Sequence, residues 1–294
     1  MSDKVDIAVK RLREAAEMSQ ALYDKPLLVT YSGGKDSDTV LRLAQIAKIP
    51  FEVQHSHTTA DAPETVYHVR DKFRELELAG IKCEIDYHTQ PDGTRTTMWN
   101  LIPRKLIPPT RLVRYCCDEL KEGGGKDRMI TTGVRWDEST ARKSRGALEI
   151  ISKRREKSIF LNNDNDEDRR LFETCTMKGK RVSNPIIDWE TNDVMDFLTG
   201  EKVKLCSLYS EGWKRVGCIG CPMAGKHRYA EFARYPTYKK AYIRAFDKMM
   251  EMRRLRGMPR GVEMDETGVD VFHWWMEDGI LPGQTVLPGF EEDA

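Results

Sequence analysis

The most constraining stretch of this sequence is an apolar run of strand length, Pro26-Leu27-Leu28-Val29-Thr30-Tyr31, that stops at Ser32-Gly33-Gly34 and hands over to a helical pattern. Val40, Leu41, Leu43, Ala44 and Ala47 carry the 3.6-residue period from Asp36 to Lys48. The unit is therefore strand, glycine turn, helix. Phe51 to His55 reads as a second strand, Pro63 to Leu78 as a helix opened by proline in its first turn, Ile81 to Tyr87 as a third strand and Met129 to Val134 as a fourth. Strands alternating with helices predict an α/β fold, a parallel sheet with helices on both faces and ligands at the carboxyl ends of its strands.

Past residue 150 the alternation fades, so the chain divides into a core, 1–150, and a smaller irregular or helical extension, 151–294, which can be continuous with it. The extension holds a charged run (Lys153 to Lys157), an acidic tip (Asp164 to Asp168) and a hairpin around Lys178-Gly179-Lys180. An extended segment, Asn184 to Trp189, precedes a helix from Asn192 to Leu198 capped by Thr191, and a long helix runs from about Ala230 to Arg256. The 294 residues suffice for a real core, and 48 Lys+Arg against 47 Asp+Glu leave a net charge of +1, so any polyanionic partner must meet a local patch. The first residues read as a charged amphipathic helix, not a leader, and no apolar run approaches the roughly 18 residues of a membrane span. A cytoplasmic protein without membrane contact is expected.

Chemistry concentrates in three places. In Ser32-Gly33-Gly34-Lys35-Asp36-Ser37, two glycines let backbone amides approach an anion. The helix N-terminus adds its dipole, and Lys35, Ser32 and Ser37 supply a charge and hydroxyls, as a pyrophosphate cradle requires. A Walker-like match, Gly220 to Lys226, lacks the hydroxyl residue, because His227 stands there, and is treated as chance. After Gly133-Val134, a helical continuation would put Arg135, Ser139 and Arg142 on one face, where guanidiniums can stabilise charge developing on a phosphate. A solvated charged face is the bland alternative.

The third is the cysteines. Seven thiols are an odd number for a disulfide framework, and clustered thiols in a reducing compartment point to metal or redox chemistry. Cys116-Cys117, Cys206 and the Cys218-Ile219-Gly220-Cys221 pair give five candidates for four ligand places. Spacing separates neither zinc from an iron–sulfur cluster nor the four from the fifth. Cys83 and Cys175 are expected to be inert. Two basic patches, Arg142 to Arg155 and Lys239 to Arg256, the second interleaved with Tyr229, Phe232, Tyr235, Tyr238 and Tyr242, fit either a nucleic-acid surface or an ordinary helix face with its aromatics turned inward. His273-Trp274-Trp275 reads as core or interface.

Ser32-Gly33-Gly34-Lys35-Asp36-Ser37 resembles the PP-loop signature of the adenine-nucleotide alpha-hydrolase superfamily. Asp61-Ala62-Pro63-Glu64-Thr65, the Gly133-Val134-Arg135…Ser139…Arg142 stretch and Pro185-Ile186-Ile187-Asp188-Trp189 with Asp193-Val194 are similar to motifs of its branch containing the phosphoadenosine-phosphosulfate (PAPS) reductases and DNA-phosphorothioation ATPases. The resemblance runs from about residue 26 to 240. It implies a Rossmann-like or flavodoxin-like core that binds ATP or an adenylyl sulfate. The cysteine arrangement is similar to that of cluster-containing adenylyl-sulfate reductases, which implies a [4Fe–4S] centre, with zinc as the alternative.

In one respect the chain departs from the reductases. Their nucleophilic cysteine, in a Glu-Cys-Gly-(Ile/Leu)-His segment, has no counterpart between Pro222 and Ala294. The leading expectation is an ATP-dependent, AMP-forming enzyme of sulfur transfer. In it, Lys35 and Arg135 neutralise phosphate charge, Ser32, Gly33, Gly34 and Ser37 cradle pyrophosphate with Mg²⁺, and Asp36 caps the helix or meets the metal ion. Gly133 and Ser139 complete the nucleotide site, and Arg142 joins the catalytic set. The expected partners are an adenine nucleotide, a sulfur-donor protein, a nucleic-acid acceptor and a second copy of the chain. A PAPS or adenylyl-sulfate reductase and a non-catalytic metal-stapled binding module are the competing readings.

Overall fold

The computed structural model describes residues 2–90, 92–125, 127–138, 142–151, 159–161, 180–258 and 267–277. They fall into two compact units, the first made of 1–57, 61–87 and 123–217, the second of 58–60, 88–122 and 218–294. Residue 150, where the sequence pattern changes, lies inside the first unit's third segment.

The first unit opens with helix α1 (Ser2–Tyr23), then β1 (Leu27–Thr30), α2 (Lys35–Ala47), β2 (Phe51–Ser56), α3 (Pro63–Leu78) and β3 (Cys83–Asp86). After β4 (Met129–Thr131) come β5 (Leu148–Ile151), β6 (Ile159–Leu161) and β7 (Lys180–Ser183), then helices over Thr191–Gly200 (α6) and Ser207–Ser210 (α7). The seven-stranded sheet has the order β3-β2-β1-β4-β7-β5-β6. β3, β2, β1, β4 and β7 are parallel, while β5 runs antiparallel to β7 and β6 antiparallel to β5. The α/β Rossmann-like class is thus realised, with an antiparallel edge added. Leu27, Leu28 and Val29 are all buried, as a central parallel strand covered on both faces requires. Leu12, Leu43, Val53, Phe73 and Trp189 join one continuous core around it.

The second unit contains α4 (Met98–Lys105), α5 (Tyr115–Leu120), α8 (His227–Arg234), α9 (Pro236–Leu255) and α10 (Gly268–Met276). Thr97 caps α4 and Thr267 caps α10, each side chain accepting from the backbone three residues on. Phe232, Tyr242, Phe246 and Trp275 pack edge-on or tilted in the core, with Tyr242 and Trp275 centroids 4.8 Å apart.

Three expectations are corrected. The single helix expected from Ala230 to Arg256 is two, because Pro236 drives Tyr235 out of helical geometry, to φ −119° and ψ 67°. Asn184 to Trp189 is not extended beyond Asn184 but folds into turns, with Ile187 N donating to Asn184 O and Trp189 N to Ile186 O. Arg11 fastens those turns from α1, its Nη1 donating to Pro185 O at 3.0 Å and to Asp188 Oδ1 at 2.9 Å. Thr191 is the first helical residue of α6 and not its cap. Glu190 holds the cap position, and its N donates to Asp193 Oδ2 at 2.7 Å. Lys153 to Lys157, the acidic tip, Cys175 and the residues at Lys178-Gly179 lie outside the described residues. Among the described residues, no helix is long and apolar enough to cross a membrane.

Candidate functional site: the glycine loop and the cysteine group

The order of the sheet reverses between β1 and β4, and at such a switch point the strand ends diverge to leave a crevice. Both loops predicted to carry phosphate chemistry, Ser32–Ser37 after β1 and Gly133–Arg135 after β4, emerge there. Gly33 has φ +77°, and a Cβ on it would stand 2.9 Å from Val69 Cγ2 and 3.1 Å from Thr65 Cγ2, so conformation and packing against α3 both demand glycine. Gly34 is the N-cap of α2. Ser37 Oγ donates to Gly34 O at 2.8 Å and lies 3.2 Å from Ser32 Oγ, which ties the loop ends together. The Lys35 amide donates to the Tyr209 hydroxyl at 2.9 Å. Among the described residues, the amides of Gly33 and Gly34 donate to no protein acceptor.

Gly133 brings the second loop against the first: a Cβ there would lie 2.9 Å from both the carbonyl carbon and oxygen of Asp36. Arg135 is 1% exposed. Its Nε donates to Asp36 Oδ1 at 2.7 Å, and its Nη1 donates to Asp137 Oδ2 and to Trp189 O, each at 3.2 Å. Lys35 Nζ sits 3.5 Å from the other oxygen of Asp36. Asp137 also accepts from Thr191 N at 3.0 Å and from Thr191 Oγ1 at 2.7 Å. These bonds, with the Arg135 guanidinium second, hold its carboxyl below the usual range. The face expected of Arg135, Ser139 and Arg142 runs through 139–141, outside the described residues. A 3-10 turn, Trp136–Glu138, follows Arg135, and Arg142 pairs with Glu138 from a side chain 39% exposed. Ser139 lies outside the described residues.

The cysteines sort by neighbourhood. In the second unit, Cys116 feels the charges of Cys117, Cys218 and Cys221, and Tyr242 those of Cys218, Cys221 and Cys116. Gly220, at φ +73°, closes the C-x-x-C turn under Trp275 and Tyr242, each 3.1 Å from where a Cβ would stand. Its amide donates to Glu231 Oε2 at 2.6 Å. The Walker-like match is thus part of this cysteine loop. Cys117 is lowered to about 5 by a hydrogen bond from Cys116 and by the Arg114 guanidinium, whose Nη2 lies 3.2 Å from its sulfur; Cys116 is raised in return. Cys206 belongs to the first unit, buried ahead of α7, its thiol raised by desolvation and bonded with Thr65. Burial pushes Cys83 up to about 11, as an inert thiol requires. Of the aromatics in the second basic patch, Phe232, Tyr235 and Tyr242 are buried and Tyr229 is exposed; Trp275 is core.

Two features escaped sequence reasoning. Tyr209 is 174 residues from the amide it holds, and no local pattern announces it. The ligand atoms of His55, His57 and Asp61 lie within 4.8 Å of one another, the one such set of three among the described residues; a His-x-His at a strand end was the signal available.

The phosphoadenosine phosphosulfate reductase domain model matches residues 26–224. Sulfate adenylyltransferase subunit 2 of Rhodopseudomonas palustris is 29% identical over 204 residues, covering 67% of this chain and 58% of that protein. The same subunit of Azotobacter vinelandii is 28% identical over 218 residues, covering 70% and 65%. The chain thus spans less than two thirds of these relatives. A PAPS reductase structure from Candida auris aligns with a TM-score of 0.43 and 18% identity, over 73% of this chain and 93% of that one.

Proposed function

This chain belongs to the phosphoadenosine phosphosulfate reductase domain family, and we propose that it is an ATP pyrophosphatase of that family that adenylates an acceptor in a sulfur-transfer reaction. The observation that carries the proposal is the glycine loop: two amides that, among the described residues, have no protein acceptor, at a helix N-terminus and at the strand end where the sheet order reverses. In the proposed step an acceptor oxygen attacks the α-phosphorus of ATP. The new O–P bond forms as the Pα–O bond to the β-phosphate breaks, and pyrophosphate leaves with that electron pair. Gly33, Gly34, Ser32 and Ser37 receive it, and Lys35 supplies the positive charge, so positioning and electrostatics do the work. Mg²⁺ would neutralise the phosphates, with Asp36 the carboxylate at hand. The buried Arg135 is a positioning residue here, because its Nε is committed to Asp36.

Cys116, Cys117, Cys218 and Cys221 are the residues that would hold a metal centre, which would supply sulfur and electron chemistry when bound. Four thiolates in one neighbourhood are donors that suit an iron–sulfur cluster, the centre we propose, with zinc as the alternative. Cys206, with Thr65 as its partner, is not among the proposed ligands. A nucleic-acid acceptor, a sulfur-donor protein, a second copy of the chain and a cytoplasmic location belong to the same reading.

Anaerobically prepared protein given Mg-ATP, with and without nucleic acid, is expected to release AMP and pyrophosphate. Lys35→Ala is expected to lower that turnover at least tenfold. Sulfite release from PAPS with a thiol donor, without AMP formation from ATP, would overturn the reading in favour of a reductase. Iron and sulfide analysis of the same sample decides the metal.

A further inference from the structure

We propose that His55, His57 and Asp61 form a second, cysteine-free site for a divalent transition cation in the first unit. The three side chains offer one ligand atom each, all within 4.8 Å of one another, and His57 Nδ1 is 3.7 Å from Asp61 Oδ2. Ligands on a tetrahedral ion at about 2.0–2.2 Å stand near 3.5 Å apart, so a closure of about 1 Å completes the set. Two imidazoles and one carboxylate are the donors that suit zinc, ferrous iron, cobalt or nickel, whereas magnesium and calcium take oxygen.

Geometry prepares the ligands. His55 lies in β2 and His57 just follows its last residue, Ser56, and residues two apart share one side of an extended chain. His55 Nδ1 lies 2.9 Å from Tyr31 O. A carbonyl only accepts, so Nδ1 carries the proton and Nε2 keeps its lone pair, the orientation that outer-shell carbonyls impose on metal-binding histidines. His57 is set edge-on against Tyr87, centroids 5.5 Å apart at 80°. His55 and Asp61 are 5% and 6% exposed while His57 is half-buried. A carboxylate held out of water beside two imidazoles gains from a cation more than a solvated one would. The site needs no nucleotide, so its fate is independent of the adenylation reading.

Cobalt(II) titrated anaerobically into the full chain tests it, because thiolate ligation gives sulfur-to-metal charge-transfer absorption and nitrogen–oxygen ligation gives only ligand-field bands. The expected result is one equivalent bound without charge-transfer absorption. That equivalent should weaken at least about tenfold in both His57→Ala and Asp61→Asn while the cysteine signal stays unchanged. Uptake that carries charge transfer throughout, or that neither variant alters, overturns the site. Urea midpoints identify a variant that fails to fold. In that case, anomalous density in cobalt-soaked wild-type crystals decides, a peak among the three side chains supporting the proposal and none there overturning it.

Discussion

Tyr31, Asp38 and His68 form a buried knot that ties the end of β1 to α2 and α3. The Tyr31 hydroxyl donates to Asp38 Oδ1 at 2.7 Å and lies 3.0 Å from His68 Nε2. Burial, and then Asp38, push the phenol well above its ordinary range, so it stays a donor at any physiological pH. Tyr31→Phe removes the donor and leaves a buried carboxylate short of a partner, with an expected cost of about 1–3 kcal/mol in urea unfolding. Cys117 shows the opposite electrostatics. With its thiol lowered to about 5, the thiolate is present above that pH and is lost as the pH falls through it. Alkylation of Cys117 in metal-free protein, followed by mass spectrometry, is expected to show a midpoint well below that of an ordinary thiol. Arg114→Ala is expected to move that midpoint upward, because it removes a guanidinium 3.2 Å from the sulfur. A wild-type midpoint near 8.5, the ordinary thiol value, contradicts the assignment.

At the scale of elements, α10 is finished by a residue from another helix. Arg228, on α8 and 1% exposed, donates to Trp275 O at 2.9 Å and to Met276 O at 3.3 Å, and its guanidinium lies over the Trp275 ring. These are carbonyls that a helix C-terminus leaves unpaired, and a cation meets the negative end of the dipole there. Arg228→Met keeps the bulk and loses both bonds, so a loss of about 2–3 kcal/mol in the second unit's urea transition is expected. An unchanged midpoint would show the carbonyls rehydrating at no cost. Elements were legible where their signals were local: α3 begins at Pro63 and ends at Leu78 as read, and β1 and α2 lie within a residue or so of expectation. The turns at Pro185 were not, since they depend on Arg11, 174 residues away.

The same divide runs through the whole molecule. The glycine loop could be read because six consecutive residues hold its chemistry, and the two cysteine pairs because adjacency and C-x-x-C are themselves patterns. The partners that give these groups their state could not: Asp36 is bound by Arg135 from 99 residues on, and Lys35 by Tyr209 from 174. Domain order was hidden for a related reason, since the chain leaves the first unit and re-enters it twice. The register of β7 carries this further. It lies between β4 and β5, and so reaches the middle of the sheet only after the strands on either side of it have already been made. As the chain is synthesised, the seam through the sheet stays open until Lys180–Ser183 arrives to fill it. The parallel half and its antiparallel border are thus joined through the strand that comes last in the chain.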